Sequence, residues 1–179
     1  MKRVITILAL GLIIPGLVLG AGPVVVKDSS VASSQLRDNA QHELLLLPGY
    51  TVFDSLAFEV NGSTVRLTGK VTQDELKTSA EAAVKQLPGV RRVVNDIEVL
   101  PSSPVDDQIR MAAFRAIYAD PAFRDYGSRA VAPVHILVSN HCLTLEGTVQ
   151  RDSDRKAIYR KALTVPGVIA VSDRLRVTS

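Results

Sequence analysis

A few residues have the types that chemistry uses. His141 and Cys142 are adjacent, and a thiol beside an imidazole is the pairing of a cysteine nucleophile or of half a metal site. His42 and His135 stand alone, with no second ligand at metal-binding spacing. Gly69 and Gly147 each lie near the end of an apolar stretch, where a bare backbone could approach a ligand or bend a strand. Asn95 and Asp173 sit among apolar neighbours, as buried polar anchors do. No glycine-rich phosphate loop precedes a helical stretch, and no Ser/His/Asp set has a recognisable context. The pair at 141–142 aligns with Ser63-Thr64 in an earlier, similar stretch, so the two stretches share no reactive group. The expectation is a protein that is not an enzyme and has no catalytic residue, cofactor or metal.

The elements that hold these residues come from an internal repeat. Val60, Val65, Leu67, Gly69 and Val71 map onto Val138, Leu143, Leu145, Gly147 and Val149, an offset of 78 residues. The same offset carries Pro88-Gly89-Val90 onto Pro166-Gly167-Val168, and Val93, Ile97 and Val99 onto Val171, Leu175 and Val177. Upstream the offset is 73: Leu36, Arg37, Ala40 and Leu44 map onto Ile109, Arg110, Ala113 and Ile117. The second copy therefore carries extra residues within Phe123–Ala130.

Each copy reads as helix, hairpin, helix, strand. Leu36, Ala40, Leu44 and Leu47 recur at helical spacing over Ser34–Leu47, with Ser33 or Ser34 available as a cap, and the copy spans Asp106–Ala119. Asn61-Gly62 predicts a tight turn between two alternating strands. A second helix spans Gln73–Leu87 and ends at Pro88-Gly89. The last strand covers Arg91–Val99, repeated at Ile169–Val177. The fold class is α+β: two tandem α-β-β-α-β units, each a small three-stranded mixed sheet packed against two helices. A helix between the second and third strands pairs them in parallel through a right-handed crossover. The domains are drawn at 32–100 and 104–179, with 101–103 as linker.

Ahead of them, Lys2 and Arg3 precede an apolar run from Val4 to Leu19 and then Gly20-Ala21-Gly22. That order is a secretory signal peptide over residues 1–21, with 22–31 as linker; an uncleaved anchor is the alternative. The lone cysteine suits an oxidising compartment. The chain has 179 residues, 46% of them hydrophobic and 22% charged, which excludes global disorder. Its net charge of +3 is too small for a protein that wraps nucleic acid, and aromatics are too few for a stacking platform. A unit of about 70 residues buries only roughly 60% of its unfolded surface, which favours docking of the two copies.

The Asn-Gly hairpin, the Val-x-Leu-x-Gly-x-Val strand and the ending from Pro88 to Val99 resemble the BON domain, named for bacterial osmotically inducible and nodulation proteins. A signal peptide followed by two such units looks like the periplasmic osmotically inducible protein Y family. The resemblance implies a periplasmic envelope protein, or one anchored in the inner membrane if the leader is kept. It also implies phospholipid association and a role in envelope integrity under osmotic stress. Related double-BON lipoproteins carry an N-terminal lipid, for which this chain lacks the cysteine. The second copy departs from the pattern at Asp173, where the first has Asn95.

Charge separates the copies. Residues 32–100 hold 7 basic and 9 acidic residues, and residues 104–179 hold 11 and 8. Arg151, Arg155 and Tyr159 follow helical i, i+4 spacing, while Tyr159 and Leu163 align with Glu81 and Lys85 of the first copy and are expected to face solvent. The candidate lipid-binding set is Arg151, Arg155, Lys156, Tyr159, Arg160 and Leu163, offered to anionic phospholipid. The competing expectation is a protein-interaction module that docks an envelope partner through a sheet edge or the insertion around Phe123 and Tyr126.

Overall fold

The computed structural model describes residues 29–123, 126 and 132–178. The leader at 1–21, the linker up to residue 28 and most of the insertion lie outside the described residues. The first unit comprises α1 (Ser29–Leu45), β1 (Ser55–Asn61), β2 (Thr64–Val71), α2 (Asp74–Lys85) and β3 (Arg92–Val99). The second comprises α3 (Pro104–Tyr118), β4 (Val134–Ser139), β5 (Cys142–Val149), α4 (Asp152–Leu163) and β6 (Ala170–Val177). Each sheet has its hairpin strands antiparallel and its last two strands parallel, in the order β1-β2-β3 and β4-β5-β6. Among the described residues no helix is long and apolar enough to cross a membrane.

Alternation in the strands and helical spacing in the helices converge on one core per unit. Leu36 and Leu44 of α1 and Leu76, Ala80 and Val84 of α2 meet Val65, Leu67 and Ile97. Ile109, Ala113 and Ile117 of α3 and Ile158 and Ala162 of α4 meet Ile136, Leu143, Leu145 and Leu175. Helix α1 starts at Ser29, ahead of the serines that could have capped it. Helix α3 uses a serine cap, since Ser103 Oγ accepts from Asp106 N at 3.2 Å and Pro104 follows.

The two hairpins turn differently. The first turns at Gly62-Ser63, one residue later than the Asn-Gly reading, because Asn61 still pairs with Thr64. Only Gly62 has positive φ there, the type II′ pattern. The second turns at Asn140-His141, both left-handed, the type I′ pattern. The buried Asp106 carboxylate accepts from both turn amides, Asn140 N at 3.0 Å and His141 N at 2.9 Å. Its counterpart in the first unit is Ser33.

Phe123 and Tyr126, expected at a docking loop, are instead buried in the second core. Their rings stack at 6.2 Å. Aromatic rings of that size gain more inside a small core than on a loop tip.

Gly69 and Gly147 have φ of +127° and +117°. A Cβ on either would stand 2.0 Å from a carbonyl oxygen, that of Ser55 or of Pro133. The backbone approach is made by the neighbouring strand. Gly69→Ala or Gly147→Ala is expected to cost at least about 1–3 kcal/mol from the backbone conformation alone. For a unit this small, thermal unfolding should then fall by roughly 4–8 °C per kcal/mol. An unchanged melting temperature would contradict this geometry.

Candidate binding surfaces

The junction between the units begins at one carboxylate. Asp54 is fully buried. Its Oδ2 accepts from Thr51 N at 2.9 Å and Thr51 Oγ1 at 2.6 Å, and its Oδ1 from Thr72 N at 2.7 Å and Thr72 Oγ1 at 2.9 Å. These four bonds shape Thr51–Asp54 into a strap that reaches the second unit. Ile136 N donates to Val52 O at 2.8 Å, so the strap meets the open edge of β4 through one backbone bond. Val52 and Phe53 pack against the second core, and the Phe53 ring meets Phe114 of α3 edge-on at 6.1 Å.

Beside the strap lies a cleft of about 420 Å³, lined by Tyr50, Ser55, His135, Glu146, Arg174 and Arg176 among others. Its polar groups engage one another. Ser55 Oγ donates to Glu146 Oε2 at 2.8 Å, and Arg174 pairs with Glu146 at 3.2 Å. The Tyr50 and His135 rings are 5.7 Å apart. Burial pushes the Tyr50 phenol up to about 12, so it stays neutral near pH 7. His135 is half-buried rather than a free edge residue, and its Nδ1 has no hydrogen-bond partner.

Elsewhere the two units meet the same need with different residues. Asn95 Oδ1 accepts from Ile97 N at 3.2 Å, and Asp173 Oδ1 accepts from Leu175 N at 3.0 Å. Asn95 Nδ2 then donates to the Lys77 carbonyl of α2 at 3.1 Å. Asp173 cannot donate, and takes Arg155 Nη1 of α4 at 2.9 Å. Arg155 is the counterpart of Lys77. Both positions therefore tie the last strand to its helix. Among the described residues no group of His, Cys, Asp and Glu could hold a metal ion. Cys142 is an exposed free thiol beside the hairpin tip.

The BON domain family matches residues 34–101 and again 106–179. The chain is a tandem BON-domain protein. Among solved structures it is similar to the C-terminal domain of CdsD, described as the structural protein of the type III secretion system of Chlamydia trachomatis. The identity is 13%, over 80% of this chain and 98% of that one, with a TM-score of 0.29. A second CdsD structure from Chlamydia trachomatis is also 13% identical, over 80% of this chain and 92% of that one, with a TM-score of 0.32. No curated protein matches the chain significantly.

The second BON unit carries the six candidate lipid contacts, and they divide. Arg155 is engaged by Asp152 and Asp173, Lys156 by Asp152 at 2.7 Å, and Arg151 by Asp154 at 3.3 Å. Tyr159 is half-buried and packs against the second core rather than standing in solvent. Arg160 is exposed with no ion pair among the described residues, and Leu163 is 54% exposed. Beyond the next turn Ile169 is 75% exposed. Leu163 and Ile169 occupy the places of Lys85 and Arg91 in the first unit. Alignment of Ile169 with Arg91 was the sequence signal for this surface, and helix-face arithmetic passes over it because Ile169 lies in a turn.

Docking of the BON units should depend on pH through His135. Burial holds its imidazole below the ordinary value of 6.5, against the opposing pull of the Asp54 carbonyl and of Glu146. In the undocked chain the ring titrates near 6.5 and so binds its proton first. The contribution to docking is full above about pH 6.5 and is lost as pH falls below it. The melting temperature should therefore fall as pH drops from about 7 toward 5. His135→Phe should lessen that fall; an equal fall in the variant would contradict the assignment.

Proposed function

We propose that this tandem BON protein is a non-catalytic component of the bacterial envelope, exported to the periplasm. In this reading its second unit attaches peripherally to anionic phospholipid and supports envelope integrity under osmotic stress. The observation that carries the reading is that Leu163 and Ile169 are exposed apolar residues where the first unit has two cations, and that Arg160 on the face of Leu163 has no ion pair among the described residues. Arg160 and Leu163 are three residues apart on α4 and share a face. Membership of the BON family supports envelope and phospholipid association.

The energetics suit a reversible contact. A cation near an anionic leaflet contributes about 1 kcal/mol. Full burial of an aliphatic side chain contributes about 1.5–3 kcal/mol, and a partly inserted one less. Arg151, Arg155 and Lys156 add little attraction, since their charges are already matched by Asp152, Asp154 and Asp173.

Flotation of the purified protein with liposomes tests this. Binding is expected with phosphatidylglycerol-rich vesicles, not with neutral ones, and should weaken several-fold between low and high salt. Arg160→Glu combined with Leu163→Asp should cut the bound fraction several-fold while leaving the melting temperature unchanged, because both side chains are exposed. Arg155→Glu is a poorer probe, since it sets a carboxylate against Asp173. Undiminished flotation of the double variant would remove this surface from the account. Flotation of neither protein would remove lipid attachment.

A further inference from the structure

The strap that joins the units has a receiving site, and the repeat supplies that site twice. On the second unit the strap is received by Phe114 on α3 and Ile136 on β4, and Tyr50 just ahead of it by His135. The first-unit counterparts of these residues are Gln41, Ala57 and Phe58. All three line one open groove of about 280 Å³ between the end of α1 and the edge strand β1. Leu44, Leu45 and Leu56 line it as well, and these are the counterparts of Ile117, Tyr118 and Val134. The first unit thus repeats the strap-binding groove, with no strap in it among the described residues.

From this geometry we infer that the groove between α1 and β1 is a docking site for a turn of another protein, one carrying an aliphatic–aromatic pair like Val52-Phe53. Three observations set the chemistry. The Ile136 amide faces away from β5, toward Val52 O, and the identical register of Phe58 with Leu67 turns the Phe58 amide to the open edge of β1. The groove is lined mostly by apolar residues, with Gln41 at its polar side. Tyr50 lines both this groove and the cleft between the units, so the docking surface continues an existing interface. A backbone bond at the Phe58 amide anchors the segment, and the apolar slot selects the side-chain pair.

A second copy of this chain is a poorer occupant, because its own strap is already held by its own β4. The site goes beyond the lipid surface of the second unit and does not depend on it.

The test uses a synthetic peptide with the sequence of residues 49–56, titrated into the whole protein and followed by amide chemical shifts. Shifts should centre on Leu56–Phe58, and the Phe58 amide should become protected from exchange. A peptide with Ala-Ala in place of Val-Phe should bind about tenfold or more weakly, and so should the native peptide to a Leu45→Glu protein. Leu45 is already partly exposed, so that variant keeps its fold, which its unchanged spectrum elsewhere would show. Shifts confined to β4, or none at β1 with millimolar peptide, would overturn the proposal. So would concentration-dependent self-association abolished by Leu45→Glu, which would assign the groove to a second copy.

Discussion

The Asp54 carboxylate organises more of this molecule than any other single group. A buried carboxylate is costly unless its lone pairs are used, and all four of its bonds come from the two threonines that flank the strap and β2. Those bonds, with the Asp54 N to Thr51 O bond at 3.2 Å, hold Thr51–Asp54 as a fixed turn in place of a loose loop. The turn presents Val52 and Phe53 to the second core and caps the open edge of β4. An uncovered edge strand invites pairing with other chains, so the strap also protects the second sheet. The cleft, the Tyr50–His135 contact and the Ser55–Glu146 bond all follow from where the strap ends.

The two units show how one fold satisfies the same backbone group in two ways. In the first, Thr72 N is taken by Asp54. Its counterpart Gln150 N donates to the Tyr126 hydroxyl at 3.0 Å, and Tyr126 in turn donates to Asp154 at 3.0 Å. The insertion of the second unit thereby supplies an aromatic plug for its core and a substitute for the missing Asp54. The exchange of Asn95 for Asp173 is similar: the amide finds a helix carbonyl, and the carboxylate recruits a cation from the same helical position.

Much of this was legible from residue spacing. The offset of 78 located both hairpins and both last strands, and Ile158, Ala162 and Val165 face the core as alignment with Ala80, Val84 and Leu87 required. What escaped depended on neighbours outside the element being read. Helix arithmetic turned Tyr159 outward, but its length lets it lie against the second core. Arg155 reads as a free cation until the strand carrying Asp173 is set beside it. Val52-Phe53 reads as a loop, because nothing local says that the loop reaches another unit. The sign that could have been followed is an adjacent apolar pair in a polar connection. The first turn slipped by one residue because Asn61 extends the strand instead of bending it.

The functional account joins two surfaces of different chemistry. One is the surface of the second unit proposed to face lipid; the other is the edge groove proposed on the first. The strap holds them in a fixed relation, and that relation is the central claim. Amide hydrogen exchange reads it within one molecule, by comparing Ile136, whose N–H is held by Val52 O, with Phe58, whose equivalent N–H has no strap. The account predicts slow exchange at Ile136 and exchange at Phe58 faster by an order of magnitude or more. Equal rates at the two amides would mean that the strap does not hold the units together.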